Sequence, residues 1–400
     1  MAPHLSPESW EALRRHRARR LGDRADLTRV EGELAHLHRP REVLVARDDL
    51  RALRGPLAQL GAVESETPPG LEERLVRFEF DRDVPGSEFR GHLRRLRGGD
   101  RDVPLRVAPN HVLTGLPYVH GGPACFASAT SDELELGGGD GERVRVAVID
   151  TGYTPRLHSW LDDHTNPAPD TLEDTDVQPR NGWLDDQAGH GTFIAGVVLS
   201  RAPGATVDIA KVLDTEGYGS ELDVARAILE HKDADVINLS LGCYTHDDQP
   251  PLAIAEALRH VSPGSVVVAA AGNDGTHRPL WPAAHKRVLG VAAVDEGRQR
   301  AFFSNYGWWV DAATHGVDVL STFLEFDESA HQVAIDGRAP QSFNRWARWS
   351  GTSFAAPKLA GEIAAAMTRD GHSSARAAAA ALLAGGGGAS DRDVGIVFDF

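Results

Sequence analysis

The chain has 400 residues, 41% hydrophobic and 25% charged, which fits a globular protein of two or three domains and excludes a disordered or fibrous one. Its formal net charge of -16 argues against nucleic-acid binding as a main task. Two cysteines, Cys125 and Cys243, without a CxxC pair or metal-ligand spacing, read as small reduced thiols, with a disulfide between them left open.

The first stretch carries Arg14, Arg15, Arg17, Arg19 and Arg20 and no uninterrupted apolar run. No signal peptide is read there, and a cytoplasmic location is expected. No stretch is long enough to span a membrane. Up to Asp140 there are 21 arginines, no lysine and 23 acidic residues, so most of the net negative charge falls in the second part. Trp10, Leu13, Leu27, Val30, Leu34 and Leu37 recur at helical spacing, broken near Gly22, and predict an N-terminal helical segment over 1–40. Its arginines form either a solvated face or a docking surface for an acidic partner.

Residues 41–120 predict a small α+β domain. A strand at Glu42–Ala46 leads to a helix capped by Asp48 or Asp49 and reaching Leu60. Arg74–Phe80 alternates like a strand, Ser87 opens a helix through Leu96, and Pro104–Leu113 is a further strand interrupted at Pro109-Asn110. Residues 121–142, with Gly137-Gly138-Gly139-Asp140-Gly141, read as a linker. From Val144 the texture changes, and 143–400 reads as a second domain. Apolar runs at Val144–Asp150, Val207–Leu213, Val236–Leu241, Ser265–Gly272 and Val288–Asp295 alternate with helical stretches at His190–Leu199, Glu221–Lys232 and Pro251–Val261. Continuous apolar strands joined by helices predict an α/β fold: a buried parallel sheet with helices on both faces. Ligands bind such sheets beyond the carboxyl ends of the strands. An alanine-rich helix over Ala375–Ala384 and an edge strand within Val394–Phe400 complete the expectation.

Polar groups stand where a buried sheet does not need them. Val146–Ile149 ends in Asp150-Thr151-Gly152. Gly189-His190-Gly191-Thr192 opens an apolar helix. Val266–Ala271 runs into Gly272-Asn273-Asp274-Gly275. Gly351-Thr352-Ser353 opens a helix continued by Leu359, Ile363 and Met367. Acyl transfer needs these four residue types. A serine hydroxyl needs an adjacent base, and histidine titrates near neutrality. A carboxylate holds the other ring nitrogen, and an amide donates to the oxygen that becomes negative. A helix N-terminus adds free N–H groups beside the serine. Each piece alone has an ordinary reading as a cap, a turn or a satisfied core residue.

Taken in order, Asp-Thr-Gly, His-Gly-Thr-x-x-Ala-Gly, Ala-Ala-Gly-Asn and Gly-Thr-Ser-x-Ala-Ala-Pro resemble the motifs of the subtilisin-like serine proteases, the subtilases. The resemblance covers about residues 143 to 370. It implies a serine endopeptidase in which Asp150 orients His190, His190 acts as base and then acid, and Ser353 forms the acyl-enzyme. It also implies an oxyanion hole made by Asn273 and the Ser353 N–H. Ser240-Leu241-Gly242 resembles the edge that pairs with extended substrate, and Gly219 falls on the opposite edge. Ala270, Ala271 and Gly272 are then expected to wall the first specificity pocket. The substrate is a protein or peptide, and a dedicated intracellular processing protease is one form of this reading. The competing reading is a catalytically silent peptide-binding scaffold on the same fold.

Some features depart from the family pattern. Trp281 is expected to narrow or floor the specificity pocket, and Asp274 to favour a basic residue before the scissile bond. Residues 321–349 add aromatic length next to Ser353, read either as a roof over the cleft or as a hairpin covering the sheet end. The acidic run from Asp162 to Asp176 lacks a calcium-loop pattern, so no metal and no cofactor are expected. Val107–Val112 resembles the strand by which inhibitory propeptides lead into the cleft, which implies intramolecular inhibition by the N-terminal domain. A separate partner-docking domain is the alternative.

Overall fold

The computed structural model describes residues 22, 24–98, 104–115, 126–134, 139–167, 171–177, 180–331, 339–385 and 390–400. Cys125, the first half of the expected N-terminal helical segment and residues 332–338 of the aromatic stretch lie outside these.

The N-terminal domain runs β1 (Thr28–Val30), β2 (His36–Ala46), a 3-10 turn at Arg47–Asp49, α1 (Leu50–Gln59), β3 (Ala62–Ser65), β4 (Leu75–Phe80), α2 (Gly86–Leu96) and β5 (Val107–Thr114). The strands pair antiparallel in the order β5-β2-β4-β3, with β1 added on β2. Alternate strand residues point to opposite faces. Val43, Val45, Phe78 and Phe80 meet Leu53, Leu57, Phe89 and Leu93 of the two helices. Each such buried side chain contributes about 1.5–3 kcal/mol of transfer free energy. Leu44, Leu75 and Leu113 belong to a different core, shared with the second domain.

The helix expected through Leu27–Leu37 is not formed. Two strands occupy that span, and β2 begins six residues before the expected Glu42. The reason is that His36 and His38 are buried, at 2% and 0% exposure. Core positions filled by histidine are invisible to an apolar periodicity.

The second domain contains β6 (Ser128–Ala129), β7 (Arg145–Asp150), α3 (Ser159–Asp163), β8 (Thr165–Pro167), α4 (His190–Arg201), β9 (Thr206–Lys211), β10 (Tyr218–Ser220), α5 (Glu221–Glu230), β11 (Val236–Leu239), α6 (Leu252–His260), β12 (Val266–Ala270), β13 (Val288–Val294), β14 (Ala312–His315), β15 (Val319–Asp327), β16 (Ser342–Trp349), α7 (Thr352–Arg369), α8 (Ala375–Gly385), β17 (Ser390–Asp391) and β18 (Gly395–Val397). The main sheet has the order β17-β18-β14-β13-β12-β11-β7-β9-β8 and is parallel apart from β17. Its two faces are read directly from strand alternation. Val146, Val148, Val266 and Val268 pack with Phe193, Ile194, Leu359 and Ile363 of α4 and α7. Ala147, Ile149, Val267 and Ala269 pack with Leu222, Ile228, Ile254 and Leu258 of α5 and α6. The protein is thus an α/β fold with helices on both faces of a parallel sheet.

The aromatic stretch forms the β15–β16 hairpin, with β6 as a third strand. The span expected to be only a linker therefore contributes a strand. The hairpin lies on α4: Ser321 Oγ donates to Phe193 O (2.8 Å) and Thr322 Oγ1 to Thr192 O (2.9 Å). Gly196 makes this approach possible, since a Cβ there would collide with both hydroxyls.

Candidate active site

Asp150 ends β7, and His190 begins α4. Their exposures are 0% and 1%. His190 Nδ1 lies 2.7 Å from Asp150 Oδ1, which also accepts from the Thr151 N–H at 2.8 Å. Two glycines allow the helix start to come this close. Gly189 has φ +82°, and a Cβ on it would strike Phe323; a Cβ on Gly191 would strike the carbonyl of Gly152. The His190 ring is walled by Trp349 and Phe354, each with its ring centre 5.4 Å away. Trp349 ends the inserted hairpin, so that hairpin supports the histidine.

Ser353 is the second residue of α7, where backbone N–H groups have no partner within the helix. Its Oγ donates to the carbonyl of Ser240 at 3.4 Å and makes no hydrogen bond to His190. Such contacts are often long or misaligned before substrate binds. Ser240 Oγ in turn donates to Ser353 O at 2.8 Å and accepts from Asn238 Nδ2 at 3.0 Å.

Asn273 follows β12. Its Oδ1 accepts from Thr352 N (2.8 Å) and Thr352 Oγ1 (2.9 Å). That fixes the amide's orientation, because only an oxygen accepts from a backbone N–H. The Nδ2 group is left to donate to an incoming oxygen. Gly272 precedes it at φ +100°, where any side chain would meet Asn305.

A groove beside these residues is lined by Ser240, Leu241, Gly242, Ala270, Gly272, Asn273 and Asp274, with Leu280, Thr352 and Ser353. The same groove is lined by His36, Leu37, Val112, Thr114 and Gly115 of the N-terminal domain. Strand β5 enters between its two edges. Leu113 pairs with Gly219, and Thr114 pairs with Gly242 in both directions, N–H to O at 2.8 Å and O from N–H at 3.0 Å. The Gly115 N–H donates to Gly217 O at 2.9 Å.

Two sequence expectations need correction. Ala271 is fully buried on the α5–α6 side of the sheet and does not line the groove. Trp281 does not floor it either. Its backbone bridges Cys243, at 2.8 and 2.9 Å, and its ring joins the core. Leu280, one residue earlier, takes that place, with Cδ2 against Gly242 and Gly272. Asp274 reaches the groove, where its Oδ2 accepts from Tyr244 Oη at 2.9 Å. Cys243 is buried, and burial pushes its thiol pKa up, so it is not poised to react. Among the described residues no cluster could hold a metal ion, and no helix is long and apolar enough to cross a membrane.

Sequence reasoning passed over Leu280, the aromatic walls around His190, and Glu173, which touches Thr151 and Thr192 beside the Asp150–His190 pair. An isolated acidic residue in a polar loop carries no spacing signal. The pairing continues two residues past the expected strand end at Leu113, through Thr114 and Gly115, which carry no apolar alternation to signal it.

Comparison with known proteins places this geometry. Residues 141–394 match the family model described as Subtilase family. The thermophilic serine proteinase of Bacillus sp. (strain AK1) is 38% identical over 57% of this chain, and the match spans about half of that relative, 53%. Thermitase of Thermoactinomyces vulgaris is 33% identical, over 59% of this chain and 78% of its own. Fervidolysin from Fervidobacterium pennivorans, described as a keratinolytic enzyme related to subtilisin, shares the fold at 19% identity with a TM-score of 0.62. That superposition covers 94% of this chain and 64% of fervidolysin, and so extends into the N-terminal domain. With the family model covering more than half of its length, the chain belongs to the subtilase family.

Proposed function

We propose that this chain is a serine endopeptidase that hydrolyses peptide bonds through an acyl-enzyme on Ser353. The buried His190–Asp150 contact of 2.7 Å, set beside a serine at a helix N-terminus, carries this reading. In the proposed mechanism Ser353 Oγ attacks the scissile carbonyl carbon as its proton passes to His190. Asp150 holds the ring and stabilises the imidazolium. The developing oxyanion accepts from Asn273 Nδ2 and the Ser353 N–H. When the C–N bond breaks, His190 returns the proton to the departing amine. Water then repeats the sequence on the acyl group. A labelled fluorophosphonate should modify the wild type and not Ser353→Ala. No labelling under any activating condition would favour the silent peptide-binding scaffold.

The N-terminal domain, in the same reading, holds the cleft shut. The observation favouring this is the two-way pairing of Thr114 with Gly242. An extended substrate would use those backbone groups by adding a strand. Thr114→Pro removes the N–H that donates to Gly242 and should raise the labelling rate of Ser353. An unchanged rate would leave the domain as a docking module.

A further inference from the structure

We propose that Glu173 is a positioning residue for the Asp150–His190 pair, acting through Thr151 and Thr192. This rests on the reading of that pair as catalytic. The segment around Glu173 is drawn against the turn after Asp150. Tyr153 N–H donates to Thr171 O at 2.9 Å, and Glu173 N–H donates to Tyr153 O at 3.1 Å. Gly152, at φ +119°, permits this closeness, since a Cβ would collide with Thr171 O and crowd Glu173.

The carboxylate then joins two elements. One oxygen, Oε1, accepts from Thr151 Oγ1, the residue after Asp150. The other, Oε2, accepts from Thr192 Oγ1 at 2.7 Å, two residues after His190, and more weakly from Thr154 Oγ1 at 3.4 Å. Both threonine hydroxyls are also acceptors. Thr151 Oγ1 takes the Gly191 N–H at 2.9 Å, and Thr192 Oγ1 takes the Thr154 N–H at 2.9 Å. Each hydroxyl therefore has its proton free for the carboxylate, and the network is satisfied when Glu173 is ionised. The end of β7 and the start of α4 are thereby fastened to one side chain. Those are the two points whose separation sets the Asp150–His190 hydrogen bond.

The residue as a whole is half-buried, but its carboxyl faces inward. Burial raises its pKa, and the nearby Asp150 charge raises it further, while hydrogen bonds from Thr151 and Thr192 oppose this. An ionised Glu173 favours the imidazolium that forms on His190 during attack. Its role is therefore both steric and electrostatic, exerted without touching substrate.

The test uses the full chain carrying Glu173→Gln, which keeps the shape and removes the charge. Turnover of one peptide substrate, its pH profile, thermal unfolding and the downfield proton resonance of the Asp150–His190 bond are compared with wild type. A displacement of this kind is expected to lower kcat on the order of tenfold to a hundredfold. KM should stay within about twofold, as expected for an interaction realised in the transition state. The acid limb of kcat/KM should move to lower pH, because a negative charge near His190 is gone, and the downfield resonance should shift. Unchanged kcat, pH midpoint and resonance, with only a lower unfolding temperature, would overturn the proposal. Should Glu173→Gln fail to fold, Thr192→Ser and Thr192→Val decide it. The serine keeps the hydroxyl and should retain the rate, while the valine should lose it; equal rates would overturn the proposal. Wild-type protein that takes no fluorophosphonate under any activating condition would instead count against the catalytic reading itself.

Discussion

His190 and His111 make nearly the same contact in two parts of the molecule. Each is buried, and each sets Nδ1 against a carboxylate, at 2.7 Å from Asp150 and 2.8 Å from Glu221. The surroundings differ. Glu221 is saturated, since Oε1 accepts from the Ala253 N–H at 2.7 Å and Oε2 also accepts from the His111 N–H at 3.2 Å. Beyond His111 lies more imidazole: Nε2 is 3.3 Å from His246 Nδ1, and the His36 ring centre is 5.8 Å away. Asp150, by contrast, keeps Oδ2 without a hydrogen-bond partner, and the His190 ring sits 5.4 Å from Phe354, the neighbour of Ser353. A buried histidine–carboxylate pair is therefore no mark of chemistry by itself. A saturated pair between domains holds them together, whereas the Asp150–His190 pair keeps one carboxylate oxygen unpartnered close to Ser353.

The strongest challenge to this contrast is to remove each ring in turn. His190→Ala should lower kcat by on the order of 10⁴-fold or more, as for loss of a general base that acts with its partners as a unit. His111→Ala should leave labelling of Ser353 as fast as wild type or faster, because it loosens the N-terminal domain. Equal losses in kinetic assays of both variants would erase the distinction. Next in size is Glu221→Ala, which deprives the buried His111 ring and the Ala253 N–H of their partner. Leaving buried polar groups without a partner costs about 1–3 kcal/mol each, to be read from denaturant unfolding of the full chain. A change under about 1 kcal/mol would mean that the pair is not a structural joint.

The smallest effect is a pH dependence, and its sign follows from the interface histidines. Burial holds His36 and His246 down to about 3 and His111 to about 4, and His38, with both ring nitrogens unpartnered, well below its ordinary value. Repulsion among neighbouring imidazoles adds to this for His36, His38 and His246. Unfolded histidines protonate near pH 6.5, so the unfolded chain binds more protons below that point. The stability from these neutral rings is complete above about pH 6.5 and falls progressively toward pH 4. Glu221, pushed up to about 8 by burial, works in the opposite sense: its contribution is complete below the ordinary carboxylate range and is lost as pH rises through about 8. Asp247, ion-paired with Arg97 at 2.5 Å, also faces the cluster; burial raises its pKa, but the attraction of His246 and Arg97 prevails and lowers it, so its contribution is lost only at lower pH. Four histidines outweigh one glutamate between pH 6.5 and 4.5. The unfolding temperature should therefore drop on acidification through that range, and His38→Asn should flatten the slope. A rising temperature would break the account.

The second domain was legible because its polar candidates stand at the ends of apolar runs. Val146–Ile149 announces a buried strand, so Asp150 at its end demands a reason; the same holds for Asn273 after Val266–Ala271 and for His190 opening an apolar helix. Backbone approach was legible in part, through the glycines around His190 and Asn273. The N-terminal half was harder. His36 and His38 occupy core positions, and β3 is short, with Val63 at 66% exposure. The groove floor is Leu280 rather than the expected Trp281, whose backbone is tied to Cys243 while its ring packs in the core. Glu173 was invisible, since its significance depends on two threonines brought together only by the fold.

The pairing of Thr114 with Gly242 has a consequence for encounter with other peptides. The strand in the groove belongs to the same molecule, so it meets its binding site at an effective concentration on the order of millimolar. A free peptide of equal intrinsic affinity at about 10 μM would be outcompeted roughly a hundredfold. Better contacts in the peptide recover that factor only slowly, at about 1.4 kcal/mol for each tenfold. If the N-terminal domain shuts the cleft as proposed, access to Ser353 would be governed less by how well a substrate fits than by how often the tethered strand lets go.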